Sequence, residues 1–238
     1  MDSLDSKYYQ ELVALRKEYE EFIYIISHDL KSPVRAISNI ANWIEEDLEG
    51  QVNDEIAHNF SLMKNRVGRL ENMMDALLEL SRVKRFELDF YDLNLPKLIK
   101  ECAEIAETKP NIEFHISFVI ENENMITLGN KLEKVIVELL SNAVQFHDKE
   151  KINIFIEIKE TQSDYEFTIR DDGPGIPEEL RANVFKIFYT VNAKDLVETT
   201  GAGLTICAKI VAMVGGQIEC FPVIGGTGSV FRFNWPKK

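Results

Sequence analysis

Ser27-His28-Asp29-Leu30-Lys31-Ser32-Pro33 sits inside a long stretch of helical spacing, and its reading decides the first half of the fold. Leu12, Leu15, Tyr19, Phe22, Ile26 and Leu30 step by threes and fours, so they form one stripe of an α-helix that needs a partner. At about 100° per residue, His28 lies about 200° from both Ile26 and Leu30 and faces solvent, on the far side from that stripe. Ser32 stands one turn beyond His28, Arg35 one turn further, and Asp29 next door. An imidazole, a carboxylate and a hydroxyl thus share one exposed region. Pro33 lacks a backbone donor and predicts a kink just past them. Taken alone, the same residues also describe a solvated helix face with an incidental histidine.

Outward from this stretch, Val34, Ile37, Ile40, Ala41, Ile44 and Leu48 carry the helix to about Leu48, while residues 1 to about 10 are polar and fray. Gly50-Gln51-Val52-Asn53-Asp54 supplies a turn, with Asn53 or Asp54 as cap. Ile56, Phe60, Met63, Val67, Leu70, Met74 and Leu77 then alternate steps of four and three, which is a heptad seam on a second helix. A two-helix hairpin cannot cover its own apolar stripes, whereas two hairpins can. The expected unit is a homodimeric four-helix bundle displaying His28 on its outer surface.

After Ser81-Arg82-Val83-Lys84 the period changes. Ile112, Phe114, Ile116 and Phe118 alternate with other residues, as do Ile152, Ile154, Ile156 and Ile158, then Phe167 and Ile169, then Phe231, Phe233 and Trp235. Helical stretches are predicted near Leu95 to Glu107, Lys131 to Phe146, Pro177 to Phe188 and Gly203 to Val214. The reading is a two-domain α+β chain: residues 1–84 a helical hairpin, residues 85–238 an α/β sandwich with one helix layer on a sheet.

Composition narrows the partners. A chain of 238 residues is comfortable for two domains, and a net charge of -13 repels phosphate backbones, which argues against nucleic acid. A nucleotide site must therefore supply its own local donors or a cation. No apolar run approaches the roughly 20 residues of a membrane span and no signal-peptide pattern opens the chain, so a soluble, cytoplasmic protein without membrane contact is expected. Cys102, Cys207 and Cys220 are odd in number and widely spaced, fitting reduced core thiols rather than a disulfide frame or zinc site. His58, His115 and His147 have no partner at metal-ligand spacing and read as structural or surface residues.

Three segments of the second half carry chemistry. In Glu138-Leu139-Leu140-Ser141-Asn142-Ala143, Glu138 and Asn142 stand four apart on one helix face and can approach the same ligand, although the pattern also fits a polar helix edge. In Ile169-Arg170-Asp171-Asp172-Gly173-Pro174-Gly175-Ile176, a strand runs into a glycine loop. Asp171 can accept a hydrogen bond from an exocyclic amine there, while the glycines let backbone pass close to a ring; an ordinary turn has the same pairs. Thr199-Thr200-Gly201-Ala202-Gly203-Leu204-Thr205 opens a helix whose free N–H groups form an anion cradle suited to phosphate. The preceding stretch of about 14 residues, Tyr189 to Lys194 and onward, is polar and long enough for a mobile lid.

These segments, in this order behind a dimerising hairpin with an exposed His-Asp pair, resemble the sensor histidine kinases of two-component signalling. The resemblance runs from about Tyr9 to Pro236. His28 to Pro33 is similar to the phosphoacceptor box and Asn142 lies in the N box. Asp171, Gly173 and Gly175 form the first glycine box, Phe185 and Phe188 resemble the F box, and Gly201 and Gly203 the second glycine box. Gly215-Gly216-Gln217-Ile218 and Gly228-Ser229-Val230-Phe231 resemble the closing turn and last hairpin.

The resemblance implies transfer of the γ-phosphoryl of ATP to His28 with Asp29 as general base, and then to an aspartate of a separate response regulator. It implies Asp171 reading the adenine amino group, Asn142 with Glu138 on Mg²⁺, and Lys194, Gly201, Gly203 and Leu204 at the phosphates. Many relatives also dephosphorylate their regulator, with a hydroxyl or amide at the position of Ser32 placing water; Ser32 reads equally as a plain surface residue. Departures from the family pattern are Glu138 for an N-box asparagine, Gln145 for a frequent lysine, Thr190 for a frequent arginine and Thr199 for a glycine. Lys194 and Lys186 can replace the missing charge; each reads also as an ordinary solvated lysine, and for Lys186 that plain reading is favoured. These departures leave open a second reading, a nucleotide-binding scaffold or phosphatase that docks a regulator with weak kinase activity, and a third, an ATP-hydrolysing clamp with Glu138 as base.

Overall fold

A computed structural model describes residues 3–48, 53–83, 89–191 and 199–237. They fall into two compact units, one helical and one α/β.

The helical unit is α1 (Ser3–Asp47) and α2 (Asp54–Arg82). α1 passes through Pro33 as one helix, so the proline removes a donor without ending the element. α2 starts where its cap predicts: Asn53 accepts the Ile56 N–H at 2.9 Å, with Asp54 and Glu55 in the positive first turn. The two helices run antiparallel, since Lys31 pairs with Asp75 near one end and Lys64 with Glu45 near the other. Ala41 of α1 and Val67, Met74, Leu78 and Leu80 of α2 are buried. The stripe of Leu12, Leu15, Tyr19, Phe22, Ile26 and Leu30 stays 39–66% exposed within one chain.

The α/β unit contains β1 (Tyr91–Asn94), α3 (Leu95–Ala106), β2 (Ile112–Val119), β3 (Asn124–Thr127) and α4 (Gly129–Gln145). It continues with β4 (Ile152–Glu160), β5 (Asp164–Asp171), α5 (Glu178–Arg181), α6 (Gly203–Met213), β6 (Ile218–Pro222) and β7 (Ser229–Pro236). The main sheet has the order β2-β4-β5-β7-β6, with β2 parallel to β4 and every other pair antiparallel; β1 and β3 form a separate two-stranded ribbon. One face of the sheet presents Ile152, Ile154, Ile156, Ile158, Phe167, Ile169, Phe231, Phe233 and Trp235, all buried. The period of two in the sequence is this face. Phe167 stacks on Phe233 with centroids 4.6 Å apart, and Trp235 Nε1 donates to Thr127 Oγ1 at 2.7 Å, tying the sheet to β3.

α4 is the central helix, with Leu132, Val135, Ile136, Leu139 and Leu140 fully buried. Each such side chain contributes about 1.5–3 kcal/mol. Lys109 closes the helix C-terminus, donating to the carbonyls of Val144 at 2.7 Å and Gln145 at 3.2 Å. Cys102 and Cys207 are core residues as expected, and Cys220 is half-buried; burial pushes the Cys102 thiol up to about 12 and the Cys220 thiol up to about 11. His58 is exposed, His115 stacks on Phe155 at 4.5 Å, and no described helix is long and apolar enough to cross a membrane.

The helix expected over Pro177 to Phe188 is corrected to the single turn of α5. Its backbone bonds shorten to i→i+3 steps, Asn183 N to Leu180 O and Lys186 N to Asn183 O, and Phe188 takes a positive φ of 60°. A left-handed non-glycine residue ends any helix there. The strands β1 and β3 were not expected, because four residues are too few to show a period.

Candidate functional site

In the helical unit the period of α1 puts His28 outward. Its side chain is 70% exposed, and Nδ1 lies 3.1 Å from Asp29 Oδ1. A carboxylate only accepts, so Nδ1 carries the proton and Nε2 keeps its lone pair toward solvent. One turn back, the Tyr24 ring stacks on the imidazole at 6.2 Å and 21°, and the Arg82 guanidinium of α2 lies 5.3 Å over Tyr24. Ser32, one turn on, is exposed. Tyr24 and Arg82 escape a reading of the sequence because they lie 58 residues apart, 82 minus 24, and meet only across the hairpin.

In the α/β unit, Asp171 ends β5 with a buried carboxylate. Oδ1 accepts the Gly173 N–H at 2.9 Å and the Ser229 N–H at 3.2 Å, and no hydrogen bond falls on Oδ2 among the described residues. Burial pushes this carboxyl up, partly offset by the two N–H groups. The glycines are where side chains cannot go. Gly175 has φ +79° and a Cβ there would stand 2.8 Å from Gly228 O, while a Cβ on Gly228 (φ +121°) would stand 2.1 Å from Asp171 O. The turn before β7 thus forms one wall of the Asp171 site.

Asp172 is the opposite case. Its Oδ1 accepts from Asn153 N at 3.0 Å and lies 2.7 Å from His147 Nε2, while Oδ2 accepts from Asn153 Nδ2 at 3.0 Å and faces Lys149 Nζ at 3.4 Å. Burial alone raises this carboxyl, but Asn153, His147 and Lys149 outweigh it and hold it well below the usual carboxylate range.

On α4, Glu138 and Asn142 share one face, as their spacing predicts. Glu138 Oε1 pairs with Lys134 Nζ at 2.9 Å. A Cβ on Gly203 would stand 2.4 Å from Glu138 Oε2 and 4.0 Å from Asn142 Nδ2, so the start of α6 is packed against both side chains. α6 has no side-chain cap, leaving its first N–H groups for an anion. Among the described residues, Asn142 Nδ2 is buried without a hydrogen-bond partner, an orphan that a ligand would satisfy. The amide and carboxylate are hard oxygen donors of the kind that hold Mg²⁺ through one or two protein groups plus phosphates. No group of three or more His, Cys, Asp or Glu side chains placed to hold a metal occurs among the described residues.

Gly201, with φ +70°, accepts the Phe188 N–H at 3.0 Å, and Thr205 Oγ1 donates to Phe185 O at 2.9 Å. The F-box and second glycine-box segments are thereby joined. Leu204 is half-buried on the first turn of α6 and Lys186 is exposed. Lys194 and, of the lid expected from Tyr189 onward, residues 192–198 lie outside the described residues.

Two family profiles match the chain: "His Kinase A (phospho-acceptor) domain" over residues 18–85, and "Histidine kinase-, DNA gyrase B-, and HSP90-like ATPase" over residues 127–238. Cyanobacterial phytochrome B of Nostoc sp. is 33% identical over 233 residues, covering 94% of this chain and 30% of that protein. Sporulation kinase A of Bacillus subtilis is 28% identical over 219 residues, covering 90% and 34%. The chain therefore spans about a third of the length of these curated relatives. Among solved structures, the catalytic domain of histidine kinase ThkA is 30% identical with a TM-score of 0.54, covering 63% of this chain and 97% of that one. ThkA in complex with response regulator protein TrrA covers 100% of this chain and 68% of that one with a TM-score of 0.67; at 24% identity it speaks for the fold.

Proposed function

The chain belongs to the sensor histidine kinases, and from that premise we propose that it autophosphorylates His28 from Mg-ATP and passes the phosphoryl group to an aspartate of a response-regulator receiver domain. The observation that carries this reading is the state of His28: exposed, with Nδ1 held by Asp29 at 3.1 Å and Nε2 left nucleophilic. Nε2 attacks the γ-phosphorus, the bond to the β–γ bridging oxygen breaks with ADP leaving, and Asp29 holds or accepts the Nδ1 proton as positive charge grows on the ring. Tyr24 keeps the imidazole plane in one orientation.

At the nucleotide, Asp171 accepts from the adenine amino group through Oδ2 while the turns at Gly173 and Gly175 let the ring approach. Asn142 and Glu138 hold the magnesium ion, which neutralises phosphate charge. Gly203 and Leu204 present α6 N–H groups to the phosphates, Gly201 shapes the turn before them, and Lys194 is an added cation. The open stripe of α1 and the heptad seam of α2 take a second copy of the hairpin, giving a homodimeric bundle, and the two domains divide between residues 84 and 85. The three thiols, two of them pushed to high pKa by burial, fit a cytoplasmic place of action, where ATP is also available. Exposed Ser32, one turn past His28, places water for dephosphorylation of the regulator.

Incubation with γ-labelled Mg-ATP tests the kinase reading. Acid-labile, alkali-stable label on the wild type that is absent from His28→Ala is the expected result. No label on a chain that binds ATP would overturn it in favour of the scaffold or phosphatase. Ser32→Ala is expected to retain autophosphorylation and lose regulator dephosphorylation by at least about tenfold.

A further inference from the structure

His147 has no part in the chemistry above, yet it is the most enclosed titratable side chain near Asp171. Its side chain is 0% exposed, with Nε2 2.7 Å from Asp172 Oδ1. The tautomer is set from both sides. The backbone N–H of Lys149 donates to Nδ1 at 3.2 Å, so Nδ1 offers the lone pair and Nε2 holds the proton that goes to Asp172. Asp172 in turn gathers Asn153 from the start of β4 and Lys149 from the loop after α4 onto the residue that follows Asp171.

The same imidazole also backs the glycine turn. A Cβ on Gly173 would stand 3.4 Å from His147 Cδ2 and 3.0 Å from Asp171 Oδ1, so the imidazole and the carboxylate border the same side-chain-free space at the turn whose N–H holds Asp171. His147 therefore reaches this loop through the Asp172 carboxylate and flanks it at Gly173.

We infer that His147 is a positioning residue of the nucleotide site: through Asp172 and Gly173 it fixes the angle of the Asp171 carboxylate, and so sets selectivity for an amino-purine over an oxo-purine base. The inference rests on the reading of Asp171 as the group that accepts the exocyclic amine. Adenine offers a donor at the position where guanine offers an oxygen, and a carboxylate held rigidly rejects the oxygen. A carboxylate free to swing discriminates less, because a displaced group or an inserted water relieves the mismatch.

The test is equilibrium binding of Mg-ATP and Mg-GTP to the full chain as wild type, His147→Leu, His147→Gln and Asp171→Asn, at a temperature well below melting for each. His147→Leu is expected to weaken ATP binding about tenfold while GTP binding changes less than about threefold, so that the ATP-to-GTP preference falls. His147→Gln, which keeps an N–H donor toward Asp172, is expected to restore most of the preference. Proportional loss of both nucleotides in His147→Leu, an unchanged ratio, or equal damage in the Gln and Leu variants would overturn the inference. If His147→Leu does not fold, the same ratio measured on Asp172→Asn decides it. An unchanged ratio in Asp171→Asn overturns the reading of Asp171 itself, whereas a collapsed ratio there with an unchanged one in His147→Leu removes only the role of His147.

Discussion

In the helical hairpin Leu12, Leu15, Tyr19, Phe22, Ile26 and Leu30 stay open along α1, whereas α4 of the α/β unit keeps Leu132, Val135, Ile136, Leu139 and Leu140 fully buried. Both helices are amphipathic by the same periodicity, but one finds its partner layer within the chain and the other does not. The difference separates two ways of holding a reactive group. Asp171 is fixed by a self-contained core and by N–H groups from the glycine loop and the start of β7, as a selective binding site requires. His28 sits on a helix whose apolar stripe is left exposed within one chain.

Four measurements break or sharpen this contrast. Ile26→Asp is expected to have the largest effect: a carboxylate in the proposed hairpin-to-hairpin seam weakens self-association at least about 100-fold by sedimentation, because an unpaired charge would be buried, while the α/β melting transition stays in place. Loss of both properties together would mean the two units do not behave separately. Leu139→Ala is expected to destabilise the α/β unit by about 2–5 kcal/mol in urea unfolding, against less than about 0.5 kcal/mol for exposed Leu15→Ala in the dissociated chain. Equal costs would remove the contrast in burial.

Trp235→Phe keeps the ring in the core but leaves Thr127 Oγ1 without its 2.7 Å donor, an expected cost of about 1–3 kcal/mol in the same experiment. Smallest in stability are the two neighbouring aspartates, and here the sign decides. Asp171 has a raised pKa in the folded state, so its contribution is complete below the ordinary aspartate range and is lost as pH rises through the raised value. Asp171→Asn is therefore expected to melt higher than wild type at pH 8 without nucleotide, while ATP binding weakens. Asp172 has a lowered pKa, so its contribution is present above the ordinary aspartate value and is lost as pH falls through the folded one. Asp172→Asn is expected to melt lower at pH 8, with the gap from wild type closing in acid. Shifts of the same sign in both variants would contradict the environments described for them.

Much of this was legible in the residues. The threes and fours of α1 and the heptads of α2 gave the hairpin, the runs at Ile152–Ile158 and Phe231–Trp235 gave two strands of the sheet, and Glu138 with Asn142 share a face as spaced. The F-box segment was misread as a helix because its apolar spacing is helical, while the left-handed Phe188 and the i→i+3 turns come from how Gly201 and Thr205 bind that segment. The Asp172 clamp was missed because Asp-Asp-Gly-Pro-Gly reads as a turn, and its partners His147, Lys149 and Asn153 lie 19 to 25 residues upstream.

The sequence by itself determined the two hairpin helices, the long strands, the outward face of His28, and the order of motifs that marks the family, since periodicity and short-range spacing are local properties. Only the tertiary structure decided that, of two adjacent aspartates, Asp171 has the raised pKa and Asp172 the lowered one. It also decided that Gly228 and Gly203 are walls of the site. Those outcomes depend on burial and on donors from distant segments, and neither is set by neighbours along the chain.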